Sequence, residues 1–328
     1  MRRREFIKLL GGTAAGWPLA ARAQQATRMR RIGALMNFVE YDPQSTIVTS
    51  AFEHGLEERG WTLGGNLTIE YRWANYAALL RRFAHELVAL TPDVILAVGG
   101  SSATALQEVT RTIPIVFMKN SDPVNRQLIE SMEHPGGNFT GLIEFEPSIG
   151  GKWLKLLKQI APSVTRLAVI QDPRRIAWRN LLTAIEKAAP SFSVEVTPVD
   201  VRDGVQMERT IATFASSPNG GLIVTPNAFS VIIRERIIAL AARHKLPAIY
   251  FGQLFVTDGG LASYAPEAID EYRSAAGYVD RILKGEKPAD MAVQAPTKFE
   301  LVINLKAAEV IGLTIPAGVL AVADHVIK

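Results

Sequence analysis

The chain has 328 residues, 48% hydrophobic and 21% charged, which suits one large or two medium folded domains and excludes a disordered chain. Its formal charge of +4 is an N-terminal property: residues 1–23 hold Arg2, Arg3, Arg4, Lys8 and Arg22 against Glu5, and taking these from the 36 basic and 32 acidic residues leaves 31 of each. A near-neutral remainder excludes a charge-driven nucleic-acid binder, and the absence of cysteine excludes disulfides, thiol catalysis and Cys-ligated metals.

The first 25 residues read as an export signal. A basic start precedes a mildly apolar stretch from Leu9 to Ala20, and an A-x-A site at Ala21–Ala23 places cleavage after Ala23. The apolar stretch is broken by Gly11, Gly12, Gly16 and Pro18 and is too short to span a bilayer. Arg3-Arg4-Glu5-Phe6-Ile7-Lys8 resembles a twin-arginine signal, with Arg2 where Ser or Thr is usual. With no cysteine to carry a lipid, the expected product is a periplasmic protein released from the membrane.

From Arg31, apolar runs of strand length alternate with segments of helical period. Strands are expected at 31–38, 67–73, 93–98 and 114–119. The intervening helices carry Ile47/Val48, Ala51/Phe52 and Leu56, then Leu79/Leu80, Phe83/Ala84 and Leu87/Val88, and a third begins near Ser102. The series then restarts with a helix over 152–160 and strands at 166–172, 194–199, 221–226 and 247–252. DVILAVGGSSATALQ at 93–107 aligns loosely with GLIVTPNAFSVIIRE at 221–235. The expected architecture is therefore α/β, two Rossmann-like lobes with parallel sheets joined by a three-segment hinge. Segments 135–147, 259–267 and 291–305 read as the crossings. Lobe 1 is then 30–147 with 263–290, and lobe 2 is 148–262 with 291–328.

Ligands of parallel sheets lie beyond the carboxyl ends of the strands, which selects particular loops. Ser101 and Ser102 follow Gly99-Gly100 at a helix start, where free N–H groups suit an anion; the alternative is that a serine caps its own helix. Asp122 could meet an ammonium group or shape an Asx-Pro turn. Asn37 and Tyr41 lie in the first loop, Asn227 and Gln253 in the matching loops of the second series, and Tyr264 in a crossing. Catalytic patterns are missing: there is no G-x-S-x-G, no P-loop, no G-x-G-x-x-G, and no acid pair assignable to one site. The histidines at 54, 85, 134, 244 and 325 show no i, i+4 pair, so neither a metal nor another cofactor is expected.

The runs PDVILAVGGSSATALQEVTRTIPIVF at 92–117, DPV at 122–124, PGGNFTG at 135–141, GLIVTPNAF at 221–229, DGGLASYAP at 258–266 and RILKGEKPADMAVQAPTKFELVINLKAAEVIGLTIP at 281–316 resemble the exported substrate-binding proteins of ABC importers related to tryptophan- and tyrosine-binding components. The resemblance implies a type I periplasmic-binding-protein fold and a non-enzymatic, monomeric receptor. It also implies a small carboxylate-bearing ligand, such as an aromatic or branched amino acid or an aromatic acid, and an inner-membrane permease as partner. Ser101 and Ser102 then take the carboxylate, Asp122 the amine, and Asn227 and Tyr264 complete the site. Asn227 departs from the Asp of many relatives and Ala265 from their Gly, which leaves a ligand without an amine open. A sensory module for a membrane kinase or chemoreceptor is the alternative reading.

Overall fold

The computed structural model describes residues 29–328 apart from 39, 41–42 and 174–175. The export signal and Tyr41 therefore lie outside the described residues. The chain divides into two compact units, one comprising residues up to Leu142 with Ile269–Gln294, the other Ile143–Ala268 with Ala295–Lys328.

Unit 1 is built on β1 (Arg30–Met36), β2 (Leu67–Trp73), β3 (Val94–Val98), β4 (Ile115–Asn120) and β5 (Phe139–Ile143), in the order β2-β1-β3-β4-β5. The pairs β1–β2, β1–β3 and β3–β4 are parallel. Every residue of β3 and β5 is buried, as expected of strands covered on both faces, where alternation gives way to continuous apolar runs. The crossovers are α1 (Pro43–Glu57), α2 (Ala77–Ala89) and α3 (Gly100–Val109). In α2, Leu80, Ala84 and Leu87 form the buried stripe at helical spacing. At Gly141 φ is +145° and an added Cβ would fall 1.9 Å from the Phe117 carbonyl oxygen, so only glycine lets β5 approach β4 there.

Unit 2 has seven strands in the order β12-β11-β10-β9-β8-β6-β7. They are β6 (Arg166–Gln171), β7 (Glu195–Asp200), β8 (Gly220–Val224), β9 (Ala248–Tyr250), β10 (Ala262–Pro266), β11 (Phe299–Asn304) and β12 (His325–Ile327). Its helices are α4 (Ile149–Ile160), α5 (Ile176–Ala188), α6 (Gly204–Ala215), α7 (Ala228–Ile232), α8 (Arg234–Arg243) and α9 (Gln253–Thr257). In the returning segment of unit 1 lies α10 (Ala268–Leu283), and α11 (Leu305–Val310) and α12 (Ala317–Leu320) close unit 2. Strand alternation sorts one strand into two cores: Leu167 and Val169 join Trp153, Leu154, Leu157 and Ile185, whereas Ala168 and Ile170 join Met207, Ile211, Ile237 and Phe255. Pro198 in β7 is tolerated because that strand is the sheet edge.

Three segments read as connections contain strands. Residues 135–147 hold β5, 259–267 hold β10, and 291–305 hold β11, which runs antiparallel to β10 with Tyr264 opposite Leu301. This pairing explains where the units divide. β10 is held by β9 and β11 in unit 2, so residues 263–268, expected in lobe 1, belong there. Residues 291–294 stay with unit 1 because the N–H groups of Val293 and Gln294 donate to the carbonyls of Met132 and Gly141 at 2.7 and 3.1 Å. The chain thus passes between units after 142, 268 and 294.

Candidate functional site

The carboxyl ends of the parallel strands carry most of the predicted residues, and each unit is described by itself. In unit 1 the turns after β1, β3 and β4 are stitched together: Asn37 N–H donates to the Val98 carbonyl (3.2 Å), and Gly99 N–H to the Met118 carbonyl (2.9 Å). Gly99 is the N-cap of α3 with φ +89°, and a Cβ there would meet Asn37 Cβ at 2.9 Å. A glycine is required for both reasons, conformation and space. Having no side chain, it leaves α3 without a side-chain cap, so neither Ser101 nor Ser102 caps the helix. Helix geometry leaves the first N–H groups of α3 without intrahelical partners, at the positive end of the helix dipole.

The two serines diverge. Ser102 is fully buried, and its Oγ has no hydrogen-bond partner among the described residues. Ser101 lines a cavity of about 180 Å³ with Arg81, Thr104 and Arg126. The Arg126 guanidinium lies against this first turn and donates to Thr104 Oγ1 at 3.1 Å. Asp122 accepts from Asn125 Nδ2 at 2.7 Å, and its N–H donates to Asn120 Oδ1 at 3.2 Å. Beside it Lys119, in the left-handed region at φ +53°, reaches the buried Glu271 of α10, with Nζ 2.8 Å from Oε2. Asn120 Nδ2 and Glu271 Oε1 are buried without partners among the described residues.

In unit 2 the matching turn after β8 is built differently. Asn227 caps α7: Oδ1 accepts the Ser230 N–H (2.7 Å), while Nδ2 donates to Ser230 Oγ (2.6 Å) and the Thr225 carbonyl (3.3 Å). Both Nδ2 hydrogens and one acceptor position of Oδ1 are engaged within its own turn. Gln253 stands exposed as the first residue of α9. Tyr264 is placed apart from both: its ring stacks on Phe299 (centroids 5.2 Å, 22°) and lines a groove that neither Asn227 nor Gln253 lines. Burial, with the nearby Asp324 carboxylate, raises its phenol pKa. Gln171, last in β6, and Ser263 of β10 are buried with Oε1 and Oγ unpartnered among the described residues.

Sequence reasoning missed Asn120, Gln171, Ser263 and Glu271. For the first two a signal existed, a polar residue closing an apolar strand run: IVFMKN and RLAVIQ. Buried polar atoms without partners are rare, and here several lie at strand ends where ligands of such sheets bind. Among the described residues no group of three His, Cys, Asp or Glu could hold a metal ion, and no helix is long and apolar enough to cross a membrane.

Residues 33–327 match the family described as ABC transporter substrate binding protein. A tyrosine-binding protein of Clostridioides difficile is 25% identical over 278 residues, 84% of this chain and 79% of the relative. Among solved structures, a conserved domain protein of Vibrio cholerae superposes with a TM-score of 0.81 at 27% identity, covering 91% of this chain and 100% of that one. An ABC domain from Streptococcus pneumonia in complex with L-Trp gives 0.81 at 23% identity over the same shares, a likeness of fold. Two mostly parallel sheets of type I periplasmic-binding-protein kind, a family match over residues 33–327 and solute-binding relatives in place of enzymes lead to one conclusion: the chain belongs to the ABC transporter substrate-binding protein family.

Proposed function

We propose that this protein is the solute receptor of an ABC importer, exported to the periplasm, that captures an aromatic amino acid or a related aromatic carboxylate and passes it to an inner-membrane permease. The observation that carries the ligand class is the first turn of α3, where an uncapped helix start coincides with a fully buried Ser102 hydroxyl that has no partner among the described residues. Unpaired N–H groups, the dipole and a desolvated donor together suit a carboxylate. Asp122, half-buried in the turn after β4, has one oxygen engaged by Asn125, and in this reading the other takes the ligand ammonium. Asn37 fixes the neighbouring turn against Gly99. Relatives named for tyrosine binding or solved with L-Trp favour an aromatic side chain.

In this reading Asn227 is a structural cap and Gln253 is the exposed polar side chain that unit 2 can offer. The receptor acts as a monomer, without chemistry, through its differential affinity for ligand in two conformations. The test is a thermal-shift panel of L-Trp, L-Tyr, L-Phe, L-Leu and 4-hydroxyphenylacetate on the wild type and on Ser102→Ala. A ligand that binds only the folded state raises Tm, by about 2.7 kcal/mol of stabilisation at a hundredfold excess over Kd. We expect a shift with at least one aromatic member, reduced in Ser102→Ala. No shift with any of them overturns the reading.

A further inference from the structure

A second feature of unit 2 lies away from the strand ends. Tyr264 and Phe299 project from the same face of the antiparallel β10–β11 pair, and their rings, stacked on each other, line an open groove of about 730 Å³. That volume falls within the range of small-molecule sites. It is lined also by α4, which presents Lys152 and Lys155 on one helical face, and by residues of the segment from Pro316 to Asp324, Val319 among them. The groove lining is more apolar than polar, and its rim is cationic.

The charges at this rim are not balanced. Lys152 Nζ stands 5.5 Å from the Phe299 ring centroid, over its face. Both lysines are exposed, and neither makes an ion pair or a side-chain hydrogen bond to a described residue. The acid of the groove, Asp324, is engaged: its Oδ2 accepts the Leu301 N–H at 2.7 Å. A stacked ring pair presents its edges for T-shaped contact with a ligand ring, and two ammonium groups one turn apart offer charge-assisted hydrogen bonds to an anion.

We propose that this groove is a second binding site, wholly within unit 2, for a small aromatic carboxylate. Its ring packs edge-to-face against the Tyr264–Phe299 pair and its carboxylate lies between Lys152 and Lys155. The site does not depend on the reading of α3, since Ser102, Asp122, Asn227 and Gln253 do not line it.

Phenylacetate, which has the ring and the carboxylate but no amine, is the probe, titrated into the full chain by calorimetry. Binding should weaken about tenfold or more in Lys152→Gln/Lys155→Gln, about 1.4 kcal/mol. Gly318→Phe should abolish it: that glycine lines the groove, and a Cβ there meets nothing within 4 Å, so the ring fills the groove without disturbing the fold. The groove variants should have the same effect in a Ser102→Ala background, and benzylamine, the same ring with the opposite charge, should not bind. The proposal is overturned if phenylacetate does not bind, if both groove variants bind it like the wild type, or if benzylamine binds equally well. Loss in Ser102→Ala alone would place the probe at α3, against the groove and in favour of the first site.

Discussion

The turn after β3 in unit 1 and the turn after β8 in unit 2 occupy the same place in their sheets, each leading from a buried strand into a helix. They solve the helix start in opposite ways. Gly99 has no side chain to cap α3, and the buried Ser102 hydroxyl near it lacks a partner among the described residues; Asn227 caps α7 and donates to the Ser230 hydroxyl as well. One turn is left incomplete by itself and the other is complete. A polar group kept unsatisfied in a buried place costs stability, and a bound ligand supplies the missing partner. The incomplete turn is therefore the one expected to bind.

The most damaging way to break this contrast is Gly99→Val. The positive φ and the 2.9 Å approach to Asn37 Cβ oppose any side chain, and a β-branched one most. We expect a loss of about 3 kcal/mol in chemical denaturation, drawing on backbone strain and the displaced Asn37 turn. Next is Asn227→Ala, which removes a cap and strands the Ser230 hydroxyl: about 1–2 kcal/mol, with ligand affinity unchanged for protein that remains folded. The smallest stability effect belongs to Ser102→Ala, within about 0.5 kcal/mol of wild type or slightly stabilising, because an unpartnered hydroxyl is removed. Stability and affinity thus separate at the two turns: Asn227 is expected to matter for the first and Ser102 for the second.

The order of strands and helices was legible because buried parallel strands leave uninterrupted apolar runs and amphipathic helices repeat at 3.6 residues; Leu67–Trp73 is placed to the residue, and Ala77–Ala89 follows from its leucines. The strands β5 and β10 read as connections because segments 135–147 and 259–267 mix glycine and proline with extended residues, Gly141 and Pro266 among them. Gly141 is there for a contact with Phe117, which is remote in sequence. Among site residues, the glycine pair and serines of α3 could be singled out by pattern, but not their different directions, since burial of Ser102 depends on what packs around α3. Asn227 was read as a ligand residue, yet a helix cap and a ligand donor use the same amide, and local sequence does not tell them apart. Tyr264 was placed in a crossing; strand register, set by β11, turns its ring toward Phe299. Glu271, on α10, meets Lys119 across 152 positions of sequence, a contact that no spacing within either segment encodes.

The most direct test of the central claim is calorimetric titration of L-Trp into wild type, Ser102→Ala and Asn227→Ala. We expect affinity at least about tenfold weaker in Ser102→Ala with Tm unchanged in the absence of ligand, the cost of one hydrogen bond to a charged group, and wild-type affinity in Asn227→Ala. Wild-type affinity in Ser102→Ala, together with lost binding in a folded Asn227→Ala, would contradict that claim.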